Sequence, residues 1–398
     1  MNIDFIILAA GEGTRMGGDS PKVLASLAGK PMIQHLIDTV DSFPKSKTSI
    51  IVGYKSKEVE SGVASSKKIS FINQKKQLGT AHAVKQALPV LRKNSISVVL
   101  YGDAPLVTKS TLKKLIKQAL KGNLSVLTFM KEDPTGYGRI IRGPGNSIQK
   151  ITEHKDASAI EREIKEVNSG VLAIKTDLLL KYIPKIKNNN AAKEYYLTDL
   201  VEISNQYAVD VTATVCDSYE VGGANDKSEL HDLERAYQKK LGQDLLKKGI
   251  AVADTSRIDI RGEIKIGQNS FIDINNVFEG CNVLGKNVRI GPNCFISNST
   301  IKDNTTIYAN TVIEDCIIGK DCSLGPFARI RGGTELSEGA ELGNFVEANR
   351  SSIGKNSKAK HLTYLGDAEL GTKTNIGAGT ITTDSNGKTK AIRREGAD

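Results

Sequence analysis

Leu8-Ala9-Ala10-Gly11-Glu12-Gly13-Thr14-Arg15-Met16, with Pro21-Lys22-Val23-Leu24 close behind, is the stretch on which the reading of this chain turns. Residues 3–8, apolar but for Asp4, read as a buried strand that empties into a glycine-rich turn. Glycines let backbone N–H groups close on phosphate oxygens, and two cations, Arg15 and Lys22, suit the charge of a transferring phosphoryl group. The string is not the dinucleotide fingerprint, because Gly11-Glu12-Gly13 lacks the third glycine. Nor is it a Walker A loop, because no Gly-Lys-Ser/Thr closes it. A bare Gly-x-Gly would mark no more than a tight turn; the cations at positions 15 and 22 favour the phosphate reading.

Outward from this turn the chain shows two textures. Up to about Val221, strand-like runs (residues 49–52, 96–100, 124–129 and 170–174) alternate with amphipathic stretches such as residues 31–40, where Met32, Leu36 and Val40 recur four apart. This alternation predicts a mostly parallel sheet with helices on both faces. Ligands of such sheets sit at the carboxyl ends of the strands, where both the glycine-rich turn and Tyr101-Gly102-Asp103 fall. Residues 226–248 carry Leu230, Leu233, Tyr237, Leu241 and Leu245 at helical spacing and stop at Gly249, which predicts one amphipathic helix joining two domains.

Beyond it a period of six sets in. Ile266, Ile272, Phe278, Leu284, Ile290 and Ile296 mark it, the phase slips near Tyr308, and Ile318, Leu324, Ile330, Leu336 and Leu342 resume it. One aliphatic residue per hexad, with small or polar residues between, predicts a parallel β-helix whose flat sides each carry one inward residue. Chance spacing in a sandwich does not survive so many units.

The chain has 398 residues, ample for two domains. Its net charge of +10 comes from scattered lysines without interleaved aromatics, which argues for anionic small substrates and against nucleic acid. No apolar run is long enough to span a membrane, and no basic segment precedes the first apolar stretch, so the expectation is a soluble, cytosolic chain. Cys216, Cys281, Cys294, Cys316 and Cys322 have no metal-ligand or C-x-x-C spacing and read as reduced packing thiols.

The opening string with Arg15 and Lys22 resembles the signature of enzymes that join a sugar 1-phosphate to a nucleoside triphosphate. Further strings narrow the resemblance: Gln77-Leu78-Gly79-Thr80-Ala81-His82-Ala83, Tyr101-Gly102-Asp103, Asp133-Pro134-Thr135-Gly136-Tyr137-Gly138-Arg139-Ile140, Glu153-His154-Lys155-Asp156, Asn168-Ser169-Gly170, Glu194-Tyr195-Tyr196-Leu197-Thr198-Asp199 and His361-Leu362-Thr363-Tyr364-Leu365-Gly366-Asp367. With the hexads, they make the chain resemble the bifunctional N-acetylglucosamine-1-phosphate uridyltransferase/glucosamine-1-phosphate N-acetyltransferase family of bacterial cell-wall precursor synthesis, from the first strand to about Thr382. The resemblance implies an α/β chain with a Rossmann-like nucleotidyltransferase domain (residues 1–225), a linker helix (226–249) and a left-handed parallel β-helix (250–398). It also implies a cytoplasmic homotrimer that uses neither nucleic acid nor membrane and feeds peptidoglycan and lipopolysaccharide synthesis.

For the first half, the resemblance implies transfer of UMP from UTP to N-acetylglucosamine 1-phosphate, with release of pyrophosphate. Arg15 and Lys22 would stabilise the pentavalent phosphorus. Leu8, Ala9, Gly11, Gln74, Gln77, Gly79 and Thr80 would hold the uridine end, Gly138, Glu153 and Asn168 the sugar, with Tyr101 and Gly102 in the same site. Asp103 suits Mg²⁺, which takes one or two carboxylates and completes its shell with phosphate oxygens; the resemblance adds Asn225 as second ligand. Taken alone, Glu153 reads as a surface charge and Asn168 as a turn residue.

For the second half, the resemblance implies acetyl transfer from acetyl-CoA to glucosamine 1-phosphate. A base near neutrality is needed as the amine attacks, and His361 is the candidate, in a break of the hexad rhythm that predicts a projecting loop. Arg331, Tyr364, Asn375 and Lys390 align with substrate-binding positions. Departures accompany them. Asn349 stands where the family has a phosphate-binding lysine, with Arg350 beside it as a substitute, and Asp384-Ser385 where it has Asn-Tyr. Residues 391–398 lack hexads where the family continues with coils that bind acetyl-CoA and complete the trimer. The expectation is a truncation or frame shift close to Lys388, with uridyl transfer kept and acetyl transfer lost or severely weakened. Two other readings stay open: a uridyl- or thymidylyltransferase for another sugar 1-phosphate, and a non-catalytic scaffold, against which Arg15, Lys22, Asp103 and Asn225 weigh.

Overall fold

The computed structural model describes residues 1–13, 16–17, 20–64, 66, 68–382 and the backbone of 390–392. Arg15, Asp384, Ser385, Lys388 and the side chain of Lys390 lie outside the described residues. By contacts the chain divides into two compact units, Met1–Leu27 with Pro31–Leu233, and Ala28–Lys30 with Glu234–Asp398. The division falls within the helix Lys227–Lys247.

The first unit is built on a sheet in the order Val211–Val215, Leu124–Met130, Glu166–Lys175, Ile96–Tyr101, Ile3–Ala9, Ser46–Val52, Ile69–Asn73. All neighbours in this order are parallel except at Glu166–Lys175, which runs antiparallel to both; off this path it also pairs antiparallel with Arg139–Arg142, which pairs with Ile148–Thr152. The first strand shows why the sheet is covered on both faces. Phe5 and Ile7 join one apolar cluster with the helices Met32–Asp41 and Lys109–Leu120; Ile6 joins a second with Thr80–Ala87 and Leu200–Gln206. Asp4, which interrupts the apolar run, is buried with its carboxylate 2.7 Å from Arg92 and 2.6 Å from the Ser95 hydroxyl. The charge is therefore paired and hydrogen-bonded.

The second unit is a parallel β-helix. Among the described residues twenty strands form one continuous ladder, in which residues 17 or 18 apart stack: Ile272 on Ile290, Ile307, Leu324, Leu342, Ala359 and Ile376. A second column runs Phe278, Ile296, Ile313, Ile330, Ala348, Leu365. Leu241 and Leu245 of the long helix pack into the same core, and Gln238 exchanges two hydrogen bonds with the Ile260 backbone. The helix thereby covers the start of the coil, where an open strand edge would otherwise lie.

The hexad phase corrects the expected single slip near Tyr308. Inward residues step by five at Ile296 to Ile301, Ile313 to Ile318, Ala348 to Ile353 and Leu365 to Leu370. Each short side turns on one residue with positive φ: Asn298, Asp315, Arg350 or Asp367. Six-residue sides turn the same way, at Asn287, Asn293 and Asn304 among others, so the left-handed corner is common to both lengths, and it suits Asn and Asp best among non-glycines. Three of the five cysteines, Cys294, Cys316 and Cys322, are buried in the coil as packing thiols; Cys281 is exposed instead. Among the described residues no helix is long and apolar enough to cross a membrane.

Candidate functional site

The parallel pairing of Leu8 with Tyr101 brings the ends of Ile3–Ala9 and Ile96–Tyr101 side by side. Above them opens a cavity of about 470 Å³. All seven candidates for the uridine end (Leu8, Ala9, Gly11, Gln74, Gln77, Gly79 and Thr80) line it, as do Lys22, Tyr101, Asp103 and Asn225. Gly102 donates its N–H to the Leu8 carbonyl at 2.9 Å but is not part of the wall. Gly13, Glu194 and three small apolar residues, Ala10, Val23 and Ala83, also line the cavity and were not singled out by sequence. Gly13 carried a signal, since it lies in the quoted turn; Glu194 opens a quoted string but reads there as one more charged residue beside Lys193.

Lys22 is the centre of the site. Its ammonium donates to Asp103 Oδ2 at 2.5 Å and to Asn225 Oδ1 at 2.7 Å. Gly13 lets the lysine stem through: its φ is +64°, and a Cβ there would lie 2.5 Å from Lys22 Cβ. The two oxygens thus converge on one cation. Both are hard donors, and among the described residues no group of three or more His, Cys, Asp or Glu could hold a metal by itself. An acid and an amide oxygen fit a divalent ion that completes its shell with substrate oxygens.

Hydrogen bonds add to apolar packing in holding the wall beside Lys22. Gln77 Nε2 donates to the Ala10 carbonyl at 2.6 Å, and Thr80 Oγ1 accepts from the Leu197 N–H at 3.0 Å. Gly79 has φ +108°, and a Cβ there would sit 2.6 Å from the Tyr195 carbonyl, so the turn into the helix Thr80–Ala87 closes only on glycine.

The three sugar-end candidates lie together but off this wall. Asn168 N–H donates to the Gly138 carbonyl at 2.8 Å, and the Glu153 carboxylate lies next to Gly138. Asn168 Oδ1 accepts from the Gly170 N–H at 3.0 Å, where the strand Glu166–Lys175 breaks register. Burial raises the Glu153 carboxyl above its ordinary range, opposed by the Thr198 hydroxyl that donates to it. Burial also pushes the Tyr101 phenol up, with the Glu153 charge second; the residue lines the cavity and its ring lies against Gly170. Burial and the carboxylates of Glu202, Glu153 and Asp156 raise Asp199 to about 6.

In the coil, His361 corrects the expectation of a projecting loop. It lies in a continuous strand, Lys358–Gly366, paired with Glu341–Asn349. The rhythm looked broken because alanines, Ala348 and Ala359, occupy inward positions, and alanine fills a hexad without marking it. His361 is exposed, with Nδ1 2.8 Å from Asn344 Oδ1, beside a cavity of about 300 Å³ whose wall includes Glu341, Asn344 and Lys360. Arg331 donates to Glu347 at 3.1 Å, and Glu347 is in register with Tyr364. Asn375 pairs with Lys358 at the far end of the strand. Asn349 is buried, and the exposed Arg350 is tied to Asp367 through two bonds of 2.7 Å.

Comparison with known proteins places this geometry. Residues 5–166 match the model of the MobA-like NTP transferase domain, and residues 258–368 that of the GMPPB C-terminal domain. The chain is 46% identical over 391 residues to a protein of Cupriavidus pinatubonensis named bifunctional protein GlmU, covering 98% of this chain and 86% of that one. It is 45% identical over 397 residues to the protein of that name from Idiomarina loihiensis, covering 100% and 87%. In fold, it superposes on the crystal structure of a UDP-glucose pyrophosphorylase complexed with UDP-glucose with a TM-score of 0.50 at 18% identity, over 60% of this chain and 100% of that one. Near-complete coverage at this identity means that the chain belongs to the bifunctional GlmU family.

Proposed function

We infer that the first unit transfers UMP from UTP to N-acetylglucosamine 1-phosphate, giving UDP-N-acetylglucosamine and pyrophosphate for peptidoglycan and lipopolysaccharide synthesis. The carrying observation is the Lys22 ammonium, held by Asp103 and Asn225 on a cavity that all seven uridine-end candidates line. Both substrates are anions, so catalysis is charge neutralisation and positioning. Lys22 meets the transferring phosphoryl group, and Arg15 adds a second cation. Gln74, Gln77, Gly79 and Thr80 hold the base end; Gly138, Glu153 and Asn168 hold the sugar. Enzymes of this family depend on a divalent metal. Asp103 and Asn225 would hold Mg²⁺, which would supply positive charge to the phosphate oxygens.

The second unit carries the acetyl-CoA-dependent half of the family's chemistry. His361, oriented by Asn344, takes the proton of the glucosamine 1-phosphate amine, and Arg331, Tyr364, Asn375 and Lys390 bind substrate. Two local features weaken this half: a neutral Asn349 at the phosphate-lysine position, and an Arg350 whose fork already grips Asp367. The protein works in the cytoplasm as a homotrimer of chains divided at residues 225 and 249.

Two assays on one sample test the reading. Pyrophosphate release from UTP with N-acetylglucosamine 1-phosphate is expected to be robust, and thiol release from acetyl-CoA with glucosamine 1-phosphate weak. A sugar 1-phosphate panel in which another sugar outruns N-acetylglucosamine would replace the first assignment with the uridyl- or thymidylyltransferase alternative. Thiol release as strong as pyrophosphate release, lost in His361→Ala, would remove the weakening argument.

A further inference from the structure

Beside the nucleotide cavity lies a second one of about 500 Å³, whose wall includes His82, Lys85, Lys187 and Tyr195. His82 connects the two. Its Nδ1 lies 2.9 Å from Gln74 Nε2, and that same amide nitrogen lies 3.3 Å from the Gly79 carbonyl. A carbonyl can only accept, so the Gly79 oxygen fixes this end of the carboxamide as the NH₂ group. One hydrogen goes to Gly79 and the other to His82, which accepts at Nδ1 and, when neutral, carries its proton on Nε2. Gln74 Oε1 remains, with no donor among the described residues, on a residue that is 4% exposed and lines the nucleotide cavity.

We propose that His82 is a positioning residue that holds the Gln74 carboxamide with its oxygen presented to the nucleobase. The site then selects a pyrimidine whose N3 carries a hydrogen, as in uracil, over one whose N3 is a lone-pair acceptor, as in cytosine. The inference rests on the uridyl-transfer reading, which puts the base against Gln74. A site built to pair with one donor rejects a base that offers a lone pair there, because both groups lose their solvation without a bond.

The arrangement holds only while His82 is neutral. Once protonated, Nδ1 becomes a donor facing the NH₂ donor, and the carboxamide gains by turning over, which presents NH₂ to the base. Burial first, then the Lys85 cation, lowers the imidazole below its ordinary range, and the Lys76 carbonyl opposes them. The ring shares the cavity wall with Lys187 and has the Tyr195 ring at 6.3 Å; the Gln86 amide nitrogen, which donates to the His82 carbonyl at 3.0 Å, lies 3.3 Å from Nε2, so Nε2 keeps its proton with the second Gln86 hydrogen turned away from it. Neutral His82 therefore dominates at neutral pH, and the turned-over amide gains weight only in acid.

The experiment is pyrophosphate release by the full chain and its His82→Leu and His82→Asn variants, with UTP and CTP, from about pH 5 to about pH 8. In His82→Asn an amide oxygen stands near the place of Nδ1 and does not titrate. His82→Leu is expected to raise the UTP KM about tenfold and to narrow the UTP-over-CTP ratio of kcat/KM about tenfold, with the KM for the sugar phosphate unchanged. His82→Asn is expected to restore the ratio and to abolish the acid-side fall in UTP preference seen in the unsubstituted chain. An unchanged ratio in His82→Leu, or an acid-side fall that persists in His82→Asn, overturns the positioning role alone. Absence of pyrophosphate release from UTP in the unsubstituted chain overturns the uridyl-transfer reading as well. If His82→Leu does not fold, the pH arm decides on His82→Asn.

Discussion

The two units assemble their sites by opposite means. In the sheet unit, Lys22 reaches Asn225 across 203 positions of sequence and Asp103 across 81. In the coil, His361 meets Asn344 across 17 positions, one turn of the ladder. The first site depends on strand order, on a turn that fits only around glycine, and on loops that arrive from distant elements. The second depends on register alone, because stacking one coil on the next repeats the same neighbour relation. The sheet site is therefore all-or-none and the coil site local and incremental.

The largest expected effect tests whether the two sites are independent. Lys22→Ala removes the cation on which Asp103 and Asn225 converge and leaves two oxygens facing each other. Pyrophosphate release should fall by about 10³-fold with thiol release unchanged. His361→Ala should do the reverse, lowering thiol release about 10²- to 10⁴-fold with pyrophosphate release intact. A variant that lowered both activities alike would show that the two sites are not independent.

The next effect concerns stability. Ile313 and Ile7 are each fully buried, one in the coil and one in the sheet. Truncation to alanine costs about 2–5 kcal/mol at such sites. In the coil the loss should stay near its neighbours: hydrogen exchange of Ile313→Ala should show lost protection around Ile296 and Ile330 and none in the sheet. Ile7→Ala should lower protection across the whole sheet, since that strand pairs with two central neighbours. Protection lost along the entire coil in Ile313→Ala would contradict nearest-neighbour behaviour.

The same contrast explains what could be read in advance. The coil was legible because one inward aliphatic residue per hexad is a one-dimensional signal, and it failed only where alanine took the inward place, at Ala348 and Ala359, or where a side ran five residues instead of six. His361 was therefore expected on a loop and lies on a strand. In the sheet unit the alternation of strand and helix was legible, and so was the glycine-rich turn with Lys22. What the turn could not reveal was its partner set. That Lys22 bridges Asp103 to Asn225, or that Glu194 completes the wall, follows from tertiary packing of segments with no shared pattern. Glu153 is an ordinary loop residue, and Asn168, read from sequence as a turn residue, lies in the strand Glu166–Lys175; only the fold brings both to Gly138.

The smallest expected effect is electrostatic and belongs to the sheet unit alone. Asp199 leads into the helix Leu200–Gln206, and burial, with the charges of Glu202, Glu153 and Asp156, raises it from 3.8 to about 6. Between those values the folded chain holds a proton that the unfolded chain has released. Stability therefore falls as pH rises through this window, and the loss is complete above the folded value. Asp199→Asn cannot ionise and should escape it. The variant should melt at a higher temperature than the unsubstituted chain near pH 8, with the difference vanishing near pH 3.5, where both carry a neutral side chain. Because the carboxyl is partly exposed, solvent screening keeps the shift small. An equal difference in melting temperature at both pH values would mean that the asparagine acts through packing or the helix start, and that the acidic neighbours of Asp199 do not repel it.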